Sequence, residues 1–316
     1  MRRWLRLVTG LVVVVLAASC SSSSDDTATP ASSGGAVFPV TIAHKFGSTT
    51  VPAEPKRVLT VGWNDQDFVL SLGVVPIATR EWFEEYSTYP WVTAKTGGKA
   101  VPTFSAEINY EAIIKQKPDL ILAIYETISR EVYDKLSAIA PTVVQASDYQ
   151  DEETPWDVQL ATIGKALGRS SEASALTKKV DDAVAAAKSA HPEFAGKTLV
   201  EDYGPENGSH WLIGANDPRR SLFDALGFRT QPESGDLSEE RLDVLDRDVL
   251  FLNGATEQDM LKRPVFAKLP VVTEGRTIYT GFDTPLAGAL SYSGPDALLF
   301  ALNELVPQLA AATAQP

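Results

Sequence analysis

The residues best suited to chemistry in this 316-residue chain are flat rings and arginines set just after short apolar runs. Trp63 and Asn64 follow one run, and Arg80 and Trp82 another, with Tyr86 and Trp91 close behind. Tyr125 follows a third run and Tyr203 a fourth. Rings cover bulky, partly apolar ligands by stacking, and guanidinium groups hold anions. In Asp217-Pro-Arg-Arg-Ser221 the aspartate reads as an N-cap and the proline as the first helical residue. Free amides and the guanidinium groups of Arg219 and Arg220 then meet at one helix start, which favours an anion. Arg80 and one of the Arg219-Arg220 pair are the expected anion ligands.

Catalytic and cofactor signatures are missing. The sequence has no Gly-x-Ser-x-Gly, no P-loop, no Gly-x-Gly-x-x-Gly, no His-Glu-x-x-His and no Cys-x-x-Cys. Its three histidines are scattered: His44 is expected ahead of the first strand, His191 at the end of a helix and His210 at the surface. A site built from several histidines is therefore not expected. The chain reads as a binder, not an enzyme, with no intrinsic cofactor and no protein metal site.

The elements that must position these side chains alternate between strand and helix. Strands are expected at 57–61, 75–79, 119–124 and 142–145, then at 198–203, 248–252 and 277–280. Strands separated by helical patterns give parallel sheets, so the fold class is α/β. Residues 156–192 carry apolar residues at helical spacing and stop at Pro192, which predicts a helical bridge between a lobe at 37–155 and a lobe at 193–316. Gly168 divides the bridge, with Ser170 or Ser171 expected to cap its second helix. The halves also repeat. Glu111-Ala-Ile-Ile-Lys-Gln-Lys-Pro-Asp119-Leu-Ile-Leu aligns with Glu240-Arg-Leu-Asp-Val-Leu-Asp-Arg-Asp248-Val-Leu-Phe. Two similar lobes with a ligand cleft between them follow from that repeat.

At the N-terminus Arg2, Arg3 and Arg6 precede an apolar run, 7–18, that is too short to span a membrane and ends in small residues. Residues 1–19 are expected to be a secretory signal. Cys20 is the only cysteine, and Leu-Ala-Ala-Ser-Cys20 resembles a lipobox, in which the cysteine is acylated and becomes the mature first residue. Residues 20–36, rich in Ser, Thr, Ala and Gly, form the expected tether. Removing the signal leaves 25 basic against 41 acidic residues, a net of −16. Such a balance excludes nucleic acid as a partner.

Gly47-Ser-Thr-Thr-Val-Pro-Ala-Glu-Pro-Lys-Arg-Val-Leu59 resembles the opening of iron-siderophore-binding lipoproteins of actinobacterial type, substrate-binding components of ABC importers. Leu72-Gly-Val-Val-Pro76, Asn109-Tyr-Glu111, Lys117-Pro-Asp-Leu-Ile121, Leu136-Ser-Ala-Ile-Ala-Pro141, Leu237-Ser-Glu-Glu240 and Phe266-Ala-Lys-Leu-Pro270 follow in the family order. The resemblance covers residues 46–309. It implies two α/β lobes on a rigid interlobe helix, a ferric siderophore as ligand with iron held inside the chelate, and a monomer. It also implies one glutamate per lobe, Glu111 and Glu240, docking on an ABC permease, with a lipid anchor at the outer face of the cytoplasmic membrane. Haem or a haem chelate, reached by a tyrosine or His210, is the alternative ligand; a secreted hydrolase and a purely structural lipoprotein are the alternative classes.

Overall fold

The computed structural model describes residues 38–204, 210–215 and 217–315. The expected signal and tether, with Cys20, lie outside the described residues. No helix among the described residues is long and apolar enough to cross a membrane.

The described chain opens with an antiparallel hairpin, Val40–His44 (β1) and Gly47–Val51 (β2). Ile42, His44, Thr49 and Val51 point inward while Thr41, Ala43, Ser48 and Thr50 face water, the period of two that defines a half-buried strand. His44 is thus the buried last residue of β1 and not a residue ahead of the sheet. Its Nε2 lies 3.0 Å from the Thr49 hydroxyl across the hairpin.

The first lobe then runs through Val58–Thr60 (β3), Asp65–Ser71 (α1), Ala78–Arg80 (β4), Pro90–Thr96 (α2), Thr103–Phe104 (β5), Tyr110–Gln116 (α3), Leu120–Ala123 (β6), Arg130–Ser137 (α4) and Thr142–Val144 (β7). Its sheet has the order β5-β4-β3-β6-β7 and is parallel throughout. β3, β6 and β7 are buried at every residue, because helices cover both faces of the sheet.

Trp156–Ala166 (α5) and Ser170–Ala190 (α6) make the bridge, and Gly168 turns between them at φ 71°. Neither Ser170 nor Ser171 caps α6. The Arg169 amide donates to the Gly164 carbonyl at 2.6 Å, and this tight turn puts Arg169 in the cap position with Ser170 already helical.

The second lobe contains Thr198–Tyr203 (β8), His210–Leu212 (β9), Ser221–Leu226 (α7), Arg229–Thr230 (β10), Gly235–Leu237 (β11), Val249–Asn253 (β12), Glu257–Met260 (α8), Pro270–Thr273 (α9) and Thr277–Thr280 (β13). β8, β12 and β13 are parallel, whereas β9 and β11 add an antiparallel edge next to β8. That edge was not expected, since His-Trp-Leu and Gly-Asp-Leu form no continuous apolar run and are too short to show a period.

Pro285–Tyr292 (α10) and Pro295–Thr313 (α11) then pack against the first lobe. Phe300 meets Trp91 at 5.2 Å between ring centroids, and Asp296 pairs with Lys95 at 3.0 Å. Leu70, Tyr86, Tyr89 and Trp91 of the first lobe therefore share one apolar core with Phe223, Phe251, Leu290, Tyr292 and Leu305. The lobes are joined by a common interior as well as by the bridge.

The sequence repeat has a structural counterpart. Asp119, ahead of β6, accepts the amides of Lys56 and Arg57 at 2.8 Å each, fixing the entry to β3. Asp248, ahead of β12, accepts the amide of Thr198 at 2.7 Å and fixes the entry to β8. One aspartate per lobe holds the two central strands side by side.

Candidate functional site

A cleft of about 500 Å³ opens between the lobes, within the range of small-molecule sites. From the first lobe it is lined by Trp63, Trp82, Tyr125 and the acidic run Asp151-Glu152-Glu153. The second lobe supplies Trp211 and Leu212 from β9, the stretch Gly214 to Arg219 in part, and Ser234-Gly235. The first-lobe residues all follow strand ends, where a parallel sheet opens onto its crevice.

Asp65 sets two of these rings. It is fully buried, and its carboxylate accepts the amides of Ile124 at 2.9 Å and Tyr125 at 3.3 Å, tying the loop after β3 to the end of β6. Trp63 donates its own amide to the Tyr125 carbonyl at 3.0 Å. Gln159 of the bridge donates Nε2 to both Asp65 (2.6 Å) and Asn64 (2.7 Å). Burial pushes the Asp65 carboxyl up to about 6, against these hydrogen bonds. Gly62 is required here, because a Cβ would lie 2.3 Å from the Asp65 carboxylate. Asn64 is consequently a buried bracket between loop and bridge and does not face the cleft mouth.

Arg80 is also withdrawn from the cleft lining. Only 8 % exposed, its guanidinium pairs with Glu126, donates to the Ala106 carbonyl, and lies 3.5 Å from the centroid of the Trp63 ring. It therefore supports Trp63 by a cation–π contact with its charge already matched. Trp82 leans on Tyr292 edge-on at 5.2 Å and stands 6.0 Å from Trp63.

Tyr86 and Trp91 lie in the shared core instead of on the cleft. Both donate to the buried carboxylate of Asp67, at 3.1 Å and 2.7 Å. The chain turns at the 3₁₀ segment Glu84–Thr88 and enters α2, carrying both rings inward.

In the second lobe Asp217 caps the 3₁₀ turn Pro218–Arg220 as expected, taking the Arg219 amide at 3.0 Å. The same carboxylate binds the Arg219 guanidinium through two bonds, at 3.0 and 2.6 Å. Burial works against the charge of Arg219, but this pairing more than offsets it and holds its pKa above the usual arginine range. The guanidinium also lies 5.0 Å from the Tyr203 ring centroid, so Tyr203 backs Arg219 from behind. Arg220 points into the lobe. It is fully buried on Asp224 (2.9 Å), Thr230 (2.7 Å) and the Arg229 carbonyl (3.0 Å), where it closes α7 onto β10. The helix start is thus not an open anion site, since one arginine is neutralised and the other is internal.

His210 is fully buried, in contrast to its expected surface position. Its Nδ1 pairs with Asp202 at 2.5 Å, and its Nε2 lies 3.6 Å from Glu239. Trp211, its exposed neighbour, faces the cleft instead. Tyr125 does reach the cleft, but burial holds its phenol well above the ordinary tyrosine range, leaving a neutral hydroxyl. The haem reading loses its histidine, and Tyr125 offers no ready phenolate.

Glu111 and Glu240 are exposed, in the first turns of α3 and of the 3₁₀ segment Glu239–Leu245. Each segment precedes a parallel strand, so its start lies at the carboxyl edge of its sheet, the side of the cleft. Glu239 is paired with Arg263 at 3.0 Å, which leaves Glu240 as the carboxylate directed to solvent.

The family model for periplasmic binding proteins matches residues 66–284, over two thirds of the chain. The chain belongs to this family. A periplasmic solute-binding protein from Mycobacterium smegmatis is 32 % identical, with a TM-score of 0.80 over 87 % of this chain and 98 % of that one. PiaA of Streptococcus pneumoniae, an iron uptake ABC transporter substrate-binding protein, is 26 % identical in its complex with ferrichrome, with a TM-score of 0.74 over 87 % and 98 %. The iron(III)-citrate-binding protein YfmC of Bacillus subtilis is 28 % identical over 75 % of this chain and 77 % of its own length. Sequence reasoning found the strand-end rings of this periplasmic binding protein but missed Trp211 and the run 151–153. The latter also follows a strand end, β7, and the same rule would have located it.

Proposed function

We propose that this protein captures a ferric siderophore outside the cytoplasmic membrane and delivers it to an ABC importer, without catalysing a reaction. The observation that carries the reading is the interlobe cleft walled by Trp63, Trp82, Tyr125 and Trp211, in a chain whose relatives are named for iron chelates. Iron arrives already wrapped by its chelator, so the walls need only stack and donate hydrogen bonds. Native mass spectrometry of the protein from iron-limited cells should show a dissociable mass carrying iron. A protein that always emerges free of any chelate, and binds none added, would sink the proposal.

Delivery rests on the paired carboxylates. Glu111 and Glu240 offer one exposed acid per lobe on the cleft side, the arrangement that a two-fold permease with basic sockets would meet. Such contacts set orientation and encounter rate and weaken with salt. Glu111→Arg combined with Glu240→Arg should leave chelate affinity unchanged and cut importer-dependent iron uptake at least tenfold. In the same uptake assay Cys20→Ala, which removes the proposed acyl anchor, should release the protein to the medium. Normal uptake by the double variant removes the docking assignment, and a membrane-bound Cys20→Ala protein removes the anchor.

A further inference from the structure

Among the described residues, the basic side chains in and just behind the cleft lining are already matched by acids. Arg219 is held by Asp217, Arg80 by Glu126, and Lys45 by Asp151. Glu152 and Glu153 remain. Glu152 accepts only the Thr127 hydroxyl, at 3.2 Å, and Glu153 is exposed with no side-chain partner among the described residues. Positions 205–209 and 216 add Glu206 and no base to the composition of this lobe. The described cleft therefore carries an excess of negative charge, the reverse of what an anionic ligand needs.

We propose that the cleft selects ferric chelates of zero or positive net charge, the tris(hydroxamate) class, over tris(catecholate) and polycarboxylate complexes. This rests on the siderophore reading above and narrows it. Three hydroxamates carry three negative charges and neutralise ferric iron, and an amine on the chelator's arm then makes the whole complex cationic. Three catecholates carry six and leave the complex a trianion. Unmatched like charges at the cleft repel an anionic complex, and the negative faces of the aromatic walls favour a cation over an anion. Charge is then the discriminating property, with Glu152 and Glu153 placed to meet a protonated amine.

The test is a titration of the full mature protein with ferrioxamine B (cationic), ferrichrome (neutral), ferric enterobactin (trianionic) and ferric citrate, at low and high salt. Ferrioxamine B and ferrichrome should bind at least 100-fold tighter than the trianion, with ferrioxamine B losing affinity as salt rises. Glu152→Gln with Glu153→Gln should reduce the ferrioxamine-to-ferrichrome affinity ratio about tenfold. A circular dichroism spectrum and a melting temperature matching the wild type would show that the variant is folded. Tighter binding of enterobactin or citrate, or an unaltered ratio in the double variant, overturns the charge selection while leaving the siderophore role intact. Binding of none of the four overturns that role and the selection with it.

Discussion

Glu201→Gln will flatten the upper part of the protein's stability profile between pH 5 and 8. Glu201 sits on β8 with both carboxyl oxygens buried and without a hydrogen-bond partner among the described residues. Burial pushes its pKa up to about 8, with Arg220 and Arg219 only partly opposing the rise. In the unfolded chain this acid ionises near the ordinary glutamate value, so between roughly pH 4.5 and 8 the folded protein holds a proton that the unfolded chain has lost. Stability must then fall as pH rises through this window. The group's favourable contribution is complete below the unfolded value and gone above about 8. Linkage gives about 1.4 kcal/mol for each pH interval of one between the unfolded and folded values, so over the interval from 4.5 to about 8 the contribution is on the order of 5 kcal/mol. Glutamine cannot ionise and removes it. Urea denaturation at pH 5, 6.5 and 8 should show the wild type losing stability across the series and the variant losing much less between 6.5 and 8. Asp65, raised to about 6, and Asp67, raised to about 7, account for the fall that remains at lower pH. Parallel profiles for the two proteins would mean that Glu201 is solvated or paired in solution.

Trp82→Ala should weaken chelate binding about 30-fold or more, equivalent to about 2 kcal/mol, the usual cost of truncating a central aromatic anchor. The ring is held by Tyr292 and Phe83 at 5.2 and 5.1 Å and stands beside Trp63, so it meets a ligand without first having to be ordered. Trp63→Ala should act similarly and also uncover the Arg80–Glu126 pair beneath. Tyr86→Phe makes the contrast. It removes a hydrogen bond to buried Asp67, which should cost about 1 kcal/mol of stability and leave affinity alone. Calorimetric titration and thermal melting of the three variants separate these outcomes. If Tyr86→Phe changes affinity as much as Trp82→Ala, the ligand binds somewhere other than this cleft.

The contrast between those two neighbours shows what the sequence could and could not reveal. Trp82 and Tyr86 are four residues apart, both just beyond a strand end, and their types are equally suited to a ligand wall or to a core. Only the turn at Glu84–Thr88 separates them, and it depends on Tyr292 and Phe300 arriving from the far end of the chain. The parallel strands were legible because burial on both faces makes them continuous apolar runs, as at Leu120–Ala123 and Val249–Asn253. The edge strands β9 and β11 were not, and Trp211 was missed with them. Charge pairing was invisible for another reason. Arg80 and Glu126 are 46 positions apart and meet only when β4 and β6 stand in one sheet.

The shared core also fixes an order of assembly. A chain emerging N-terminus first presents Tyr86, Tyr89 and Trp91 long before residues 285–313, which supply Leu290, Tyr292 and Phe300 to cover them. Contacts between positions so distant carry a high loop-closure cost and form late. The first half therefore cannot seal its own interior while the rest is being made, and the last two helices act as the closing piece for residues synthesised some 200 positions earlier.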